Sequence, residues 1–150
     1  MIKRVLSWIL GILILLGLLY AYVSFGSKRA RINQAQEILD ASMPNIANEW
    51  DWGIFASYSE ISLTSKNDGT LEIFAEIADS AGPIKKYVRS KYKGTILQKI
   101  GRFSKEALVF NVNMECENGP VSLDVSMTAS GSMWKISGLV IQELPKSRAR

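Results

Sequence analysis

The amino-acid sequence predicts an α+β protein with one N-terminal transmembrane helix, because three hydropathy patterns follow one another along the chain. An uncharged apolar run comes first, residues with helical spacing follow, and the last third of the chain alternates between apolar and polar residues. The 150 residues, of which 47% are apolar, suffice for one domain of ordinary size and are too apolar for a disordered chain.

The apolar run covers residues 5–25 and contains no charged residue. At 1.5 Å per residue a helix of this length spans about 31 Å, which matches the hydrocarbon core of a bilayer. Its 13 Leu, Ile, Val and Phe residues favour insertion by roughly 4–8 kcal/mol in total. Trp8 lies near one end and Tyr20 and Tyr22 near the other, as interfacial aromatic residues do. We therefore expect residues 5–25 to contact the lipid bilayer.

A cleaved signal peptide is the competing interpretation, because Ser24, Phe25 and Gly26 offer small residues at a suitable spacing. The run is longer than the apolar core of a signal peptide, which favours an uncleaved anchor. The predicted organisation is an anchor over residues 1–27, a soluble domain over residues 28–145 and a basic tail over residues 146–150. Gly26 and Ser27 are expected to form a flexible joint. The N-terminus is expected in the cytoplasm and the domain outside it.

Charge and residue usage exclude several classes of function. Residues 1–31 carry five bases and no acid, whereas residues 32–150 carry 13 bases and 14 acids and so have a net charge of −1. A nearly neutral domain argues against nucleic-acid binding. The chain has no His and one Cys, which excludes a Ser-His-Asp triad and a Cys-based zinc site held by this chain alone. We expect no metal site, no cofactor and no catalytic residues.

Two stretches of the domain have helical spacing. The first apolar stripe consists of Ile32, Ala35, Leu39, Met43, Ile46 and Trp50. Pro44 lies within it and is expected to kink or divide the helix. A short helix is expected over residues 53–58, and residues 66–69 have the composition of a turn. The second stripe consists of Leu71, Phe74, Ala75, Ala78 and Ala81, and Gly82 and Pro83 end it.

The last third of the chain predicts an antiparallel meander of three strands. The expected inner faces comprise Leu108, Phe110, Val112, Met114 and Cys116; then Val121, Leu123, Val125 and Met127; and then Trp134, Ile136, Gly138 and Val140, with Leu139 and Ile141 on the opposite face. A further hairpin is expected from residues 84–92 and 95–100.

Three segments give the chain a resemblance to a known superfamily. They are the long N-terminal helix that runs into Asn48-Glu49-Trp50-Asp51-Trp52, the helix that ends in Ala81-Gly82-Pro83-Ile84-Lys85, and the C-terminal meander with Glu117-Asn118-Gly119-Pro120 and Trp134-Lys135-Ile136-Ser137-Gly138. Over residues 30–143 the order of these pieces resembles the nuclear-transport-factor-two-like (SnoaL-like) superfamily, in particular its membrane-anchored bacterial members. The resemblance implies a cone-shaped roll in which helices pack on a curved sheet and leave a cavity.

Basic residues provide the first candidate site. Residues 85–105 contain eight bases and no acid. On a regular strand Lys85, Tyr87, Arg89, Lys91 and Lys93 share one face, which suits anionic lipid head groups or an acidic partner. The alternative is a solvated face that discourages edge pairing, neutralised by the nine acids among residues 37–79.

Aromatic residues provide the second candidate site. Trp50, Trp52 and Trp134 are candidates to line a ligand cavity, with Asp51 as an acid or base within it. The alternative is that the tryptophans pack in the core and Asp51 caps the following short helix. Cys116 lies on an apolar face and is expected to behave as a small buried hydrophobic residue.

Together these observations predict a single-pass, membrane-anchored and non-catalytic binding or scaffold domain of the cell envelope. Its expected partners are the bilayer and either other envelope proteins or further copies of itself. Two alternatives stay open: a carrier of a small apolar ligand in the cavity, and a lyase or isomerase that works without His.

Overall fold

A computed structural model describes residues 1–63, 69–100 and 102–146 and confirms the α+β class. The chain divides into two compact units, Met1–Asn33 and Gln34–Arg150. Three helices and a four-stranded antiparallel sheet are assigned within the described residues. The predicted turn over residues 66–68 and the end of the basic tail, residues 147–150, lie outside the described residues.

Helix α1 extends over Ile2–Glu49. It remains helical through Gly26 and Ser27, where the sequence predicts a joint, and the Ser27 hydroxyl donates to the carbonyl oxygen of Ser24 at 3.0 Å. In the first unit its side chains are exposed on all sides over residues 5–25. The apolar segment is therefore part of a regular helix that its own unit does not bury.

Five of the six residues of the predicted stripe are buried in the second unit: Ala35, Leu39, Met43 and Ile46 of α1, and Trp50 directly after it. The sixth, Ile32, is partly exposed. The helix is not divided at Pro44, so that part of the prediction is wrong. Proline inside a helix costs about 3 kcal/mol because it removes a hydrogen bond and crowds the preceding turn. Burying Met43 and Ile46 contributes about 1.5–3 kcal/mol each. Packing of the flanking residues thus offsets the proline.

Helices α2 (Trp52–Ser57) and α3 (Thr70–Ala81) follow. The buried residues of α3 are Thr70, Phe74, Ile77 and Ala81. The predicted stripe contained Leu71, Ala75 and Ala78 instead, and Leu71 is exposed. The observed stripe is rotated around the helix and places the larger side chain of Ile77 in the core. Gly82 ends α3 with a φ of 69°, which is a backbone conformation that glycine adopts without strain.

The sheet has the order β1–β2–β3–β4, with strands at Ile84–Ile100, Phe103–Cys116, Gly119–Ser130 and Met133–Glu143. The predicted hairpin within residues 84–100 is wrong, because β1 is one strand of 17 residues that pairs with β2 along its length. A register shift between Tyr92 and Gly94 brings Gly94 opposite Val109. The glycine thus lies at an irregularity of the strand, where the sequence suggests a turn.

The predicted inner faces of β2 and β3 are confirmed, since all nine residues are buried. The prediction for β4 is correct for Trp134 and Ile136 and wrong beyond them. Leu139 is 7% exposed and Val140 is 55% exposed. Ser126 pairs with Gly138 and Met127 pairs with Ile136, so Ser137 is an extra residue in β4. This bulge moves the following side chains of β4, as far as Ile141, to the opposite face, and a second register shift follows between Ile141 and Glu143.

Candidate functional site

The apolar segment of α1 is the first candidate site. An 18-residue window of this helix reaches a mean hydropathy of 2.3, and none of that window is buried. Length and composition are those of a membrane span, and a signal sequence near the N-terminus has the same properties. A helix that is apolar on every side requires an apolar environment around it. Lipid is such an environment, so residues 5–25 are compatible with a membrane anchor.

The aromatic residues of the second candidate site pack against one another. The ring of Phe74 lies 5.9 Å from that of Trp50, 5.4 Å from that of Trp52 and 4.9 Å from that of Phe55, measured between centroids. The indole nitrogen of Trp50 donates to the carbonyl oxygen of Gly82 at 2.6 Å. Edge-to-face and tilted ring pairs of this kind stabilise a core beyond the area that they bury. The cluster therefore joins the end of α1 to α2 and α3.

Asp51 lies at the start of α2, and Trp134 lies on β4. Asp51 is exposed and caps α2, because its carboxylate accepts a hydrogen bond from the backbone N–H of Ile54 at 3.0 Å. Trp134 is buried on β4, opposite Ala129. The structure thus brings Trp50 and Trp52 into one aromatic cluster and gives Asp51 the capping contact that the alternative interpretation expects.

The basic residues of β1 do not follow one face of the strand. Register shifts occur between Ile84 and Lys86 and between Val88 and Lys91. Tyr87 pairs with the buried Met114, whereas Lys91 pairs with Asn111 on the other side of the sheet. Irregular pairing of this kind interrupts the simple alternation of side chains. The predicted stripe is therefore divided between the two sides of the sheet. It was expected to comprise Lys85, Tyr87, Arg89, Lys91 and Lys93.

Asp40 of α1 holds one side of β1. Its carboxylate accepts hydrogen bonds from the hydroxyl of Tyr87 at 2.6 Å and from the backbone N–H of Ser90 at 3.0 Å, and Arg89 lies 3.8 Å away. The side-chain amide of Gln36 donates to the carbonyl oxygen of Ser90. Burial, together with the hydrogen bond and charge of Asp40, raises the pKa of the Tyr87 phenol well above its usual value. This set of contacts keeps the tyrosine protonated.

Asp124 of β3 forms a second polar centre on the other side of the sheet. It accepts hydrogen bonds from Lys93 at 2.6 Å, from Gln142 at 2.9 Å and from Asn111 at 3.0 Å. Asn113 in turn donates to Asn111 at 2.7 Å. Burial alone raises the pKa of the Asp124 carboxyl, but the hydrogen bonds and the charge of Lys93 outweigh it and lower the pKa. Lys93 is therefore half of an ion pair with a largely buried carboxylate.

The polar centres around Asp40 and Asp124 were not predicted as sites from the sequence. Asn111 and Asn113 alternate on β2, and the register places Asn111 opposite Asp124 and Asn113 opposite Ser122. Two polar residues at matching positions of paired strands were the available signal. Cys116 agrees with its prediction, because it is buried and its burial raises the pKa of the thiol to about 11.

Comparison with known proteins gave no relatives. No protein-family model, no curated protein and no solved structure matches the chain. The residues and contacts described above are therefore the basis for an inference about function.

Proposed function

We propose that this chain is a single-pass membrane protein whose α+β domain binds other proteins of the cell envelope, or further copies of itself, as a scaffold. The observation that carries the proposal is the apolar helix over residues 5–25, which is exposed on all sides. Its transfer into lipid is favoured by roughly 4–8 kcal/mol. In the second unit, α1 also provides part of the buried apolar stripe.

A binding role for the domain is supported by what its polar residues do. Asp51 caps a helix, Asp40 binds the edge strand, and Asp124 is paired with Lys93. Each of these three carboxylates makes a contact that stabilises the fold. Trp50 and Trp52, two of the three tryptophans proposed to line a cavity, have aromatic neighbours at packing distance. These contacts favour a scaffold over an enzyme or a carrier of an apolar ligand.

The SnoaL-like resemblance belongs to the same proposal. It rests on the three sequence segments described above, together with an α+β domain whose long helix precedes an antiparallel sheet. The resemblance implies a cone-shaped cavity between the helices and the sheet. The proposed location is the bacterial inner membrane, with the domain on the periplasmic side.

The anchor is tested with arginines at its centre. Leu13→Arg combined with Leu15→Arg costs about 5–7 kcal/mol of insertion free energy, which is comparable to the whole favourable term. The control carries Leu71→Arg and Val140→Arg, at exposed positions of the domain. After alkaline extraction of membranes, the control should stay in the pellet and the anchor variant should not. An unaltered chain in the supernatant, or a mature chain that begins near Ser27, would refute the anchor.

The scaffold role is tested by crosslinking the full chain in its own membrane. We expect specific adducts, either with other envelope proteins or between copies, that disappear in the anchor variant. A chain that stays monomeric over a wide range of expression levels and yields no adduct would refute a scaffold role. The side of the membrane follows from Ile61→Cys labelling with an impermeant maleimide, because Cys116 is buried and its thiol is weakly acidic.

A further inference from the structure

The end of the β1–β2 ladder exposes large apolar side chains. Leu97 is 80% exposed and Phe103 is 73% exposed, and Ile96 is exposed beside them. Lys99 and Arg102 are exposed in the same region. We call these five residues the ladder end. Side chains alternate along the paired strands, so Leu97 lies on one side of the ladder and Ile96 and Phe103 lie on the other. A single exposed leucine is common on protein surfaces, but this end of the ladder exposes large apolar side chains on both of its sides.

The ladder end is a two-stranded ribbon. Leu97 pairs with Glu106 and Ile100 with Phe103, whereas the pairing of β2 with β3 begins only at Leu108. Each strand therefore has one strand neighbour here, and the backbone groups on its other edge need water or lipid head groups as partners. The ribbon is thus suited to the head-group region of a bilayer and not to its hydrocarbon core.

The charge of this region is strongly positive. Residues 85–105 contain eight bases and no acid. Three of the bases form ion pairs with carboxylates elsewhere in the domain: Arg89 with Asp40, Lys93 with Asp124, and Lys105 with Glu60. Arg89 and Lys93 lie away from the ladder end, whereas Lys105 lies beside it, opposite Gln98, and the acid Glu106 lies opposite Leu97. Lys99 and Arg102 adjoin the exposed apolar side chains instead, which is the combination that favours an anionic lipid surface.

We propose that the ladder end docks on the head-group region of a bilayer that contains anionic lipid, as a second membrane contact of the domain. Leu97, Phe103 and Ile96 enter the boundary between head groups and acyl chains, and Lys99 and Arg102 bind lipid phosphates. The inference rests on the proposed membrane anchor, because a tethered domain meets lipid at a high effective concentration. A lipid surface fits better than an acidic protein, since apolar and cationic groups are interleaved.

The test uses the full chain in lipid nanodiscs with a fluorescent label at Leu97→Cys. The discs contain phosphatidylcholine alone or mixed with phosphatidylglycerol, with or without brominated acyl chains as quenchers. Ile61→Cys is the matched control, because Ile61 is 81% exposed in the same domain. The unaltered chain, with buried Cys116, gives the labelling background. We expect brominated lipid to quench the label at residue 97 in anionic discs, with little quenching at residue 61.

Removing the charges of Lys99 and Arg102 makes the test more specific. One cationic residue near an anionic surface raises the ratio of docked to undocked domain about fivefold. Lys99→Gln combined with Arg102→Gln should therefore lower this ratio about thirtyfold. High salt should have a similar effect. Equal quenching at residues 61 and 97, or quenching that does not depend on lipid charge, would overturn the inference. Neither result would affect the proposal of a membrane anchor. A signal that depends on the number of chains per disc would identify a second copy as the occupant. Failure of the chain to enter discs would overturn both proposals.

Discussion

Replacing Asp40 with alanine tests how α1 holds the edge strand β1. The carboxylate of Asp40 accepts the Ser90 N–H and the Tyr87 hydroxyl, and its side chain is 22% exposed. Ser90 lies in the irregular stretch between Val88 and Lys91, where the register with β2 shifts. The alanine variant leaves a buried N–H without its partner. Such a loss is expensive because water does not replace the bond in the interior.

The magnitude follows from these two bonds. A hydrogen bond to a charged group contributes about 1.5–3 kcal/mol. Because Asp40 is partly exposed, water restores part of the bond to Tyr87, and we expect a loss of about 3 kcal/mol in the free energy of unfolding. Asp40→Asn keeps an acceptor oxygen and should lose about 1 kcal/mol. Arg89→Ala should lose at most about 1 kcal/mol, because its ion pair with Asp40 is long and the arginine is exposed.

The assay is urea unfolding of the full chain in a mild detergent, followed by near-ultraviolet circular dichroism. Hydrogen exchange adds a local readout, because the Ser90 amide should lose its protection in Asp40→Ala and keep most of it in Asp40→Asn. Two results would refute the reasoning. One is a loss below about 0.5 kcal/mol for Asp40→Ala, less than one ordinary hydrogen bond contributes. The other is a loss in Arg89→Ala as large as in Asp40→Ala.

Three further predictions concern single residues. The lowered pKa of Asp124 adds stability at neutral pH that is lost as the pH falls from about 4 through the folded-state pKa; acid titrations should show a shallower loss in Asp124→Asn, and an identical slope would contradict this. Gly131 has a φ of 62° and open space around it, so Gly131→Ala should destabilise the fold by about 1 kcal/mol, whereas Gly94→Ala, with no positive φ, should be neutral or stabilising in the same urea titration. The Cys116 thiol, with a pKa of about 11, should react with a thiol reagent only after urea unfolding; rapid reaction in the folded chain would contradict its burial.

Periodicity predicted the elements that bury one regular face. The alternation of β2 and β3 and the spacing of α1 both identified buried residues correctly, because each side chain there has one fixed environment. The incorrect predictions occur where one extra or irregular residue changes the alternation of side chains between the two faces of the sheet. Ser137 is an extra residue in β4 and turns Val140 to solvent, and no composition signal marks it. Gly94 resembles a turn residue but lies inside β1.

The candidate sites were harder to predict because they depend on distant pairs. Lys93 and Asp124 are 31 positions apart, and Tyr87 and Asp40 are 47 apart. The alternative interpretation expected acids among residues 37–79 to neutralise the bases of β1, and Asp40 pairs with Arg89 as expected. The partner of Lys93 is Asp124, which lies outside that range, because strand register decides this contact. Asp51 was different, because a capping residue acts on its own helix and is visible in local sequence.

Each outer strand of the sheet is obstructed at one point of its free side. Glu60 and Tyr58 exchange backbone hydrogen bonds with Ile136 of β4 at 2.8 Å, and Asp40 and Gln36 bind both backbone groups of Ser90 in β1. Exposed strand edges are templates for amyloid-like stacking, and molecules anchored in one bilayer, as proposed here, would meet one another often. The obstructions at Ile136 and Ser90 interrupt the two edges and so oppose the stacking of copies through long, continuous strand pairing.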